Sequence, residues 1–159
     1  MILIDKNSKL WAYLADDIKG LLADGENLVN EAEHFSGKIS DYSYLVFPFS
    51  KGYEGFLKKL FLDLHMIRDD EYYGDDIRIG RVLNPHYTHE PSSVYKKILL
   101  HKNGGEALGE KLWNVWKRGR NSVFHYFPHN FKKLTYAEAL EIITEELSVM
   151  EATVSLVKS

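Results

Sequence analysis

Arg120, Asn121 and His125 bring a permanent cation, an amide and an imidazole together within six residues. A helix through this stretch would stack Asn121 and His125 on successive turns. Arg120 would stand one step round the cylinder, long enough to swing above His125. Such a set suits metal-independent cleavage of an RNA phosphodiester. There the 2'-hydroxyl loses a proton, the 5'-oxygen gains one, and the phosphorane between them carries extra negative charge. Histidine titrates near neutrality and can move the protons. Arginine stays charged and can grip two phosphate oxygens, and fixed charge at a developing anion is often the largest catalytic contribution. An Arg-x-x-x-x-His spacing also arises by chance on helices, so the elements that carry it have to be weighed.

Apolar residues recur mostly at three- and four-residue steps, the period of helix. The first helix is expected to follow Ser8 as N-cap, with Leu10, Leu14, Ile18, Leu21, Leu22, Leu28, Val29 and Ala32 on one face, a break near Gly25 and closure at Ser36-Gly37. A second is expected from about Asp41 to Ile67, with Pro48 imposing a kink or a late start. Residues 68 to 91 hold breakers and charges, and read as an irregular excursion with a short extended piece at Ile77 to Leu83. A short helix from Ser92 to His101 precedes Asn103-Gly104-Gly105. A longer one is expected from Glu106 to Phe127, stopped by Pro128, with Leu108, Leu112, Val115, Gly119 and Val123 inward and Asn114, Lys117 or Arg118, Asn121 and His125 on another face. Thr135 to Glu138 has the pattern of a capping box, opening a last helix whose stripe of Leu140, Ile143, Leu147, Met150, Val154 and Val157 suits a core, or a dimer seam. The fold class expected is all-α, an antiparallel four- to five-helix bundle formed by residues 1–159 as a single domain.

The run Arg120-Asn121-Ser122-Val123-Phe124-His125 resembles the Arg-polar-x-x-x-His motif of the HEPN superfamily. That resemblance implies a HEPN-like bundle of four or five helices. It also implies a homodimer in which two motifs face each other across a cleft, and metal-independent endoribonuclease activity of the kind found in toxin–antitoxin, abortive-infection and CRISPR systems. Residues 44 to 60, Tyr44-Leu45-Val46-Phe47-Pro48-Phe49-Ser50-Lys51-Gly52-Tyr53-Glu54-Gly55-Phe56-Leu57-Lys58-Lys59-Leu60, look like a helix in the C-terminal HEPN domain of RnlA/LsoA-type RNase toxins. In those toxins a basic residue and a glutamate three positions on join the Arg and His of the motif. Lys51 and Glu54 match that spacing, with Lys standing where the toxins have Arg. The likeness spans roughly residues 40 to 130, and the chain shows no counterpart of the toxins' N-terminal domains.

Lys51 and Glu54 also make sense without the resemblance. Three residues apart, they share a helix face, where the carboxylate could orient Arg120 or act as a base. The alternative is a solvated pair on an exposed strip. His86-Tyr87-Thr88-His89 has a metal-like spacing but lacks a third ligand segment, and reads as surface loop. Asp69, Asp70, Asp75 and Asp76 lack the ordered spacing of a calcium loop. His129 follows the motif closely and could assist, though Pro128 should redirect the chain. Trp113 and Trp116 read as core or dimer anchors.

A net charge of -3 argues against nucleic-acid binding through general basicity, though not against one cationic spot for one phosphate. The chain contains no cysteine, which rules out disulfides and thiolate zinc. No run approaches the roughly 20 apolar residues of a membrane span, and a cytoplasmic protein is expected. No phosphate-cradling glycine loop is present, and no cofactor or metal is expected. The function expected is a HEPN-type endoribonuclease acting on RNA, with an antitoxin or other partner protein. The alternative is a non-catalytic HEPN module that binds RNA, nucleotide or a partner.

Overall fold

The computed structural model describes residues 1–158, and among them every regular element is helical. Ser8 caps α1 (Lys9–Tyr13), its hydroxyl accepting from the Trp11 amide at 3.0 Å. The chain then breaks at Leu14 and Ala15, both extended, and not near Gly25. Gly25 lies buried inside α2 (Asp16–Ala32), where a Cβ would run into the Phe49 ring. That glycine therefore permits close helix contact, and it breaks nothing. Along the expected apolar face Leu28 is exposed, while Ile18, Leu22 and Val29 are buried.

Tyr42 to Val46 approach the core through a short 3₁₀ turn, Ser43–Leu45, before α3 (Phe47–Asp63) begins. Pro48 sits in the first turn, where its missing amide costs no helical bond, so of the two outcomes expected for it the late start is the one found. Phe49, Tyr53, Phe56, Leu57, Leu60 and Phe61 of α3 are almost fully buried. Truncating one such aromatic ring costs on the order of 3–5 kcal/mol.

Residues 68 to 91 contain α4 (Asp69–Tyr73), α5 (Ile79–Val82) and a 3₁₀ turn at Pro85–Tyr87. The extended piece expected at Ile77 to Leu83 is instead a single helical turn. Ile77, Ile79, Val82 and Leu83 all go into the core, which a strand's alternation would not allow. Next come α6 (Val94–Leu100), capped by Ser93, and α7 (Glu106–Trp116). The last helix, α8 (Tyr136–Val157), opens on the expected capping box between Thr135 and Glu138. Its stripe is core: Ile143, Leu147, Met150 and Val154 are buried within this one chain.

Packing fixes the directions of the long helices. Ile18 and Leu22 of α2 meet Gly55 and Gly52 of α3, and Gly25 meets Phe49, so the two run antiparallel. The Tyr53 hydroxyl donates to the Leu112 carbonyl at 3.0 Å, while Ser50, one turn earlier, reaches Gly119 just beyond the end of α7. Thus α7 also runs against α3. Glu146 and Glu145 of α8 meet Gly119 and Arg118, bringing α8 against the same corner. Ser50, Lys51 and Glu54 of α3 and residues 118 to 121 therefore come together at one end of α3.

Candidate active site

The segment carrying Arg120 and Asn121 is a widened turn. Past Trp116 the helix loosens into a π turn over Lys117–Asn121, with the Ser122 amide bonded to the Lys117 carbonyl five residues back at 3.2 Å. The chain then leaves the helix: Ser122 and Val123 form a turn and Phe124 and His125 a bend. The helix expected to reach Phe127 thus ends at Asn121, and Asn121 and His125 do not stack on successive turns. Wide turns of this kind concentrate at functional sites, because they re-aim side chains that a regular helix would hold in register.

His125 nevertheless reaches the expected neighbourhood. A surface pocket of about 440 Å³ is lined by Phe47, Lys51, Glu54, Arg120, Asn121, Phe124 and His125. All five site residues expected from sequence therefore share one opening. Lys51, Arg120, Asn121 and His125 are exposed and Glu54 is half-buried.

The pocket is held by charge and by aromatic packing. Arg120 Nη1 donates to Glu54 Oε2 at 2.5 Å, and the guanidinium lies 5.2 Å from the centre of the Trp116 ring. Glu54 also faces Lys58 Nζ at 3.7 Å. Arg120 keeps 46% of its side chain exposed in this pairing, so the pair lies in screened, wet surroundings and is of modest strength. An incoming phosphate can compete with Glu54 for the same guanidinium. Lys51 Nζ lies 6.0 Å from the Phe47 ring centre and makes no ion pair among the described residues. Phe47 and Phe124 meet edge to face at 5.8 Å and form the apolar wall. Arg118 is committed elsewhere, to Glu141 at 2.9 Å and to Glu145.

Beneath the pocket lies a buried acid. Glu146 of α8 is 1% exposed; its Oε1 accepts from Ser50 Oγ at 2.6 Å and its Oε2 has no hydrogen-bond partner. Burial pushes this carboxyl up to about 8, against the lowering effect of the Ser50 hydroxyl. Ser50 Oγ also lies 3.1 Å from the Gly119 carbonyl. A Cβ at residue 119 would overlap the Glu146 carboxyl, so only glycine lets the π turn settle onto α8. Ser50 adjoins Lys51 and Gly119 adjoins Arg120, so this one cluster positions both sides of the pocket.

The loop after the motif is pinned by Asp41. Its carboxylate accepts from the Ser43 amide at 2.9 Å, the Asn130 side chain at 2.8 Å and the Leu134 amide at 3.1 Å. Burial would raise its pKa, but these bonds together with the Ser43 hydroxyl outweigh it and hold the group below its ordinary range.

Sequence reasoning missed Phe47 and Phe124 as walls, though Phe47 precedes Lys51 by one helical turn and Phe124 adjoins His125. It also missed Glu146, whose signal was a carboxylate between Ile143 and Met150 on an otherwise apolar stripe. His129, with a left-handed φ of 61°, is not among the residues lining the pocket. Among the described residues no three His, Cys, Asp or Glu side chains gather as a metal site, and no helix is long and apolar enough to cross a membrane. Comparison with protein-family models, curated proteins and solved structures finds no significant match to this chain.

Proposed function

We propose that this protein is a metal-independent endoribonuclease of the HEPN type, working as a homodimer. One observation carries the reading: Lys51, Glu54, Arg120, Asn121 and His125, drawn from two distant stretches of sequence, line a single solvent-open pocket. The antiparallel packing of α2 against α3 and of α3 against α7 agrees with a HEPN-like bundle.

In this reading the 2'-oxygen of the substrate attacks the adjacent phosphorus and the bond from phosphorus to the 5'-oxygen breaks. His125 takes the 2'-hydroxyl proton or supplies one to the leaving 5'-oxygen, and the partner's copy of the imidazole does the other. Arg120 exchanges its contact with Glu54 for the phosphorane oxygens and holds their charge. Glu54 and Asn121 orient the arginine and the phosphate, and Lys51 adds a second positive charge. The products are a 2',3'-cyclic phosphate and a 5'-hydroxyl. Exposed aromatics beside the motif, Tyr126 at 79% and Phe131 at 67%, offer the apolar surface for a second copy. An antitoxin or other partner protein would act by covering the same opening.

The test is to incubate purified protein with single-stranded RNA and EDTA and to identify the new ends. Cleavage to cyclic phosphate that falls by about 10²-fold or more in His125→Ala supports the proposal. Equal cleavage by that variant overturns it, and RNA binding without turnover points to a non-catalytic module.

A further inference from the structure

The Arg120–Glu54 pair has a second open side. Beyond it lies another pocket, of about 460 Å³, that shares Glu54, Arg120 and Asn121 with the first and continues onto α5 and the turn after it. The residues it adds are Arg78, Ile79, Gly80, Arg81, Asn84, Tyr87 and Trp116, all but the last from the 68–91 excursion. The two pockets therefore form one groove with the ion pair at its middle. Lys51 stands in one arm and Arg78 in the other, and neither makes an ion pair among the described residues. Arg78 bonds only to backbone carbonyls, those of Asp75 and Ile77.

One further feature of the second arm suits a nucleotide. Arg81 lies 5.5 Å from the Tyr87 ring centre and is fixed there by Glu90, at 3.1 and 2.8 Å, with 64% of its side chain still exposed. A guanidinium layered on a ring is a platform on which a base can stack. Trp116, 96% buried, forms part of the floor, with its indole nitrogen closed to solvent.

We infer that this second arm is the subsite for the nucleotide one step beyond the two that the scissile linkage of a single-stranded RNA joins, with its phosphate on Arg78 and its base on the Arg81–Tyr87 platform. The inference rests on the ribonuclease reading for its substrate class, and gives that site its reach along the strand. The 68–91 excursion becomes the part of the fold that recognises what flanks the cut.

Binding of 2'-O-methyl oligoribonucleotides, which cannot be cleaved, separates the two claims. Fluorescence anisotropy should show a hexanucleotide binding about tenfold more tightly than a dinucleotide, the scale of one stacked base. Arg78→Gln and Tyr87→Ala should each remove most of that gain and leave the dinucleotide affinity unchanged. Arg78→Gln should also lower the salt dependence by about 0.7 in log–log slope. Unchanged melting temperatures and helical circular dichroism identify the variants that remain folded. No gain with length in the wild type, or folded variants that bind the hexanucleotide as the wild type does, overturns the inference. If the enzyme still cleaves RNA in that case, the nuclease reading stands. Hexanucleotide binding that depends on Tyr87 without any cleavage supports the subsite and overturns the nuclease.

Discussion

Arg120 leans across the pocket onto Glu54, a residue 66 positions earlier, through a 2.5 Å contact that leaves nearly half of the arginine in solvent. The contact fixes the direction of the guanidinium without sealing it. If Glu54 orients Arg120, Glu54→Gln should lower kcat for RNA cleavage by about tenfold or more, because misaligned groups lose rate steeply. The melting temperature should barely move, since a solvent-screened pair of this kind contributes about 0–1 kcal/mol. RNA affinity should rise slightly as a negative charge leaves the pocket. Steady-state kinetics with a labelled oligonucleotide checks this, and an unchanged kcat would remove Glu54 from the machinery.

Glu146 should make stability depend on pH in the direction opposite to most carboxylates. Released from the fold, its carboxyl loses its proton near 4.5; in the fold it holds the proton to about 8. Between those values the folded state carries one proton more than the unfolded state, so stability falls as pH rises. The contribution is complete below 4.5 and gone once pH passes 8. Thermal melts from pH 5 to 8 should show the midpoint falling, and Glu146→Gln should flatten that slope. A slope that survives the substitution would assign it to other groups.

Asp41 should act in the opposite direction. Its carboxyl is held below its ordinary value of 3.8, so the stability it adds is present above that value and is lost as pH falls through the depressed one. Asp41→Asn should cost about 1–3 kcal/mol near neutral pH, because the Asn130 side chain and the Leu134 amide lose a charged acceptor. Urea unfolding at pH 7 and pH 3 checks the sign: the gap between variant and wild type should narrow in acid.

The aromatic surface beside the motif is the seam of the proposed homodimer. On that proposal, Tyr126→Ser combined with Phe131→Ser should shift a dimer to monomer in sedimentation velocity and should abolish RNA cleavage. A monomeric variant that cleaves at the wild-type rate would show that one pocket suffices.

The helical character of the chain was legible because a 3.6-residue period leaves its mark wherever one face is buried. Ser8 and Thr135 announced their helices for the same local reason, a side-chain oxygen meeting orphan amides. Gly25 misled because a glycine in a helix has two readings, breaker or contact point, and only the position of Phe49 decides between them. The end of α7 misled more. Apolar spacing from Leu108 to Val123 is as regular as a helix requires, yet the widening at Lys117 to Asn121 depends on Gly119 lying against Glu146, a partner 27 residues away. Arg120 and His125 still line one pocket, because the turn brings them to the same opening that a helix would have. The second arm of the groove was hidden: Arg78, Gly80 and Tyr87 stand among breakers and charges, where periodicity says nothing.

The cluster at Ser50, Gly119 and Glu146 has a consequence for the timing of synthesis. Its partners are separated by 69 and 96 residues, and the last of them lies deep in the final helix. A nascent chain that has already emerged through His125 carries every polar group of the pocket but not the acid that seats the π turn. The seating of the π turn should therefore wait for α8 to be made and to dock. A chain cut before Glu146 should keep the motif and lose the acid against which Gly119 rests.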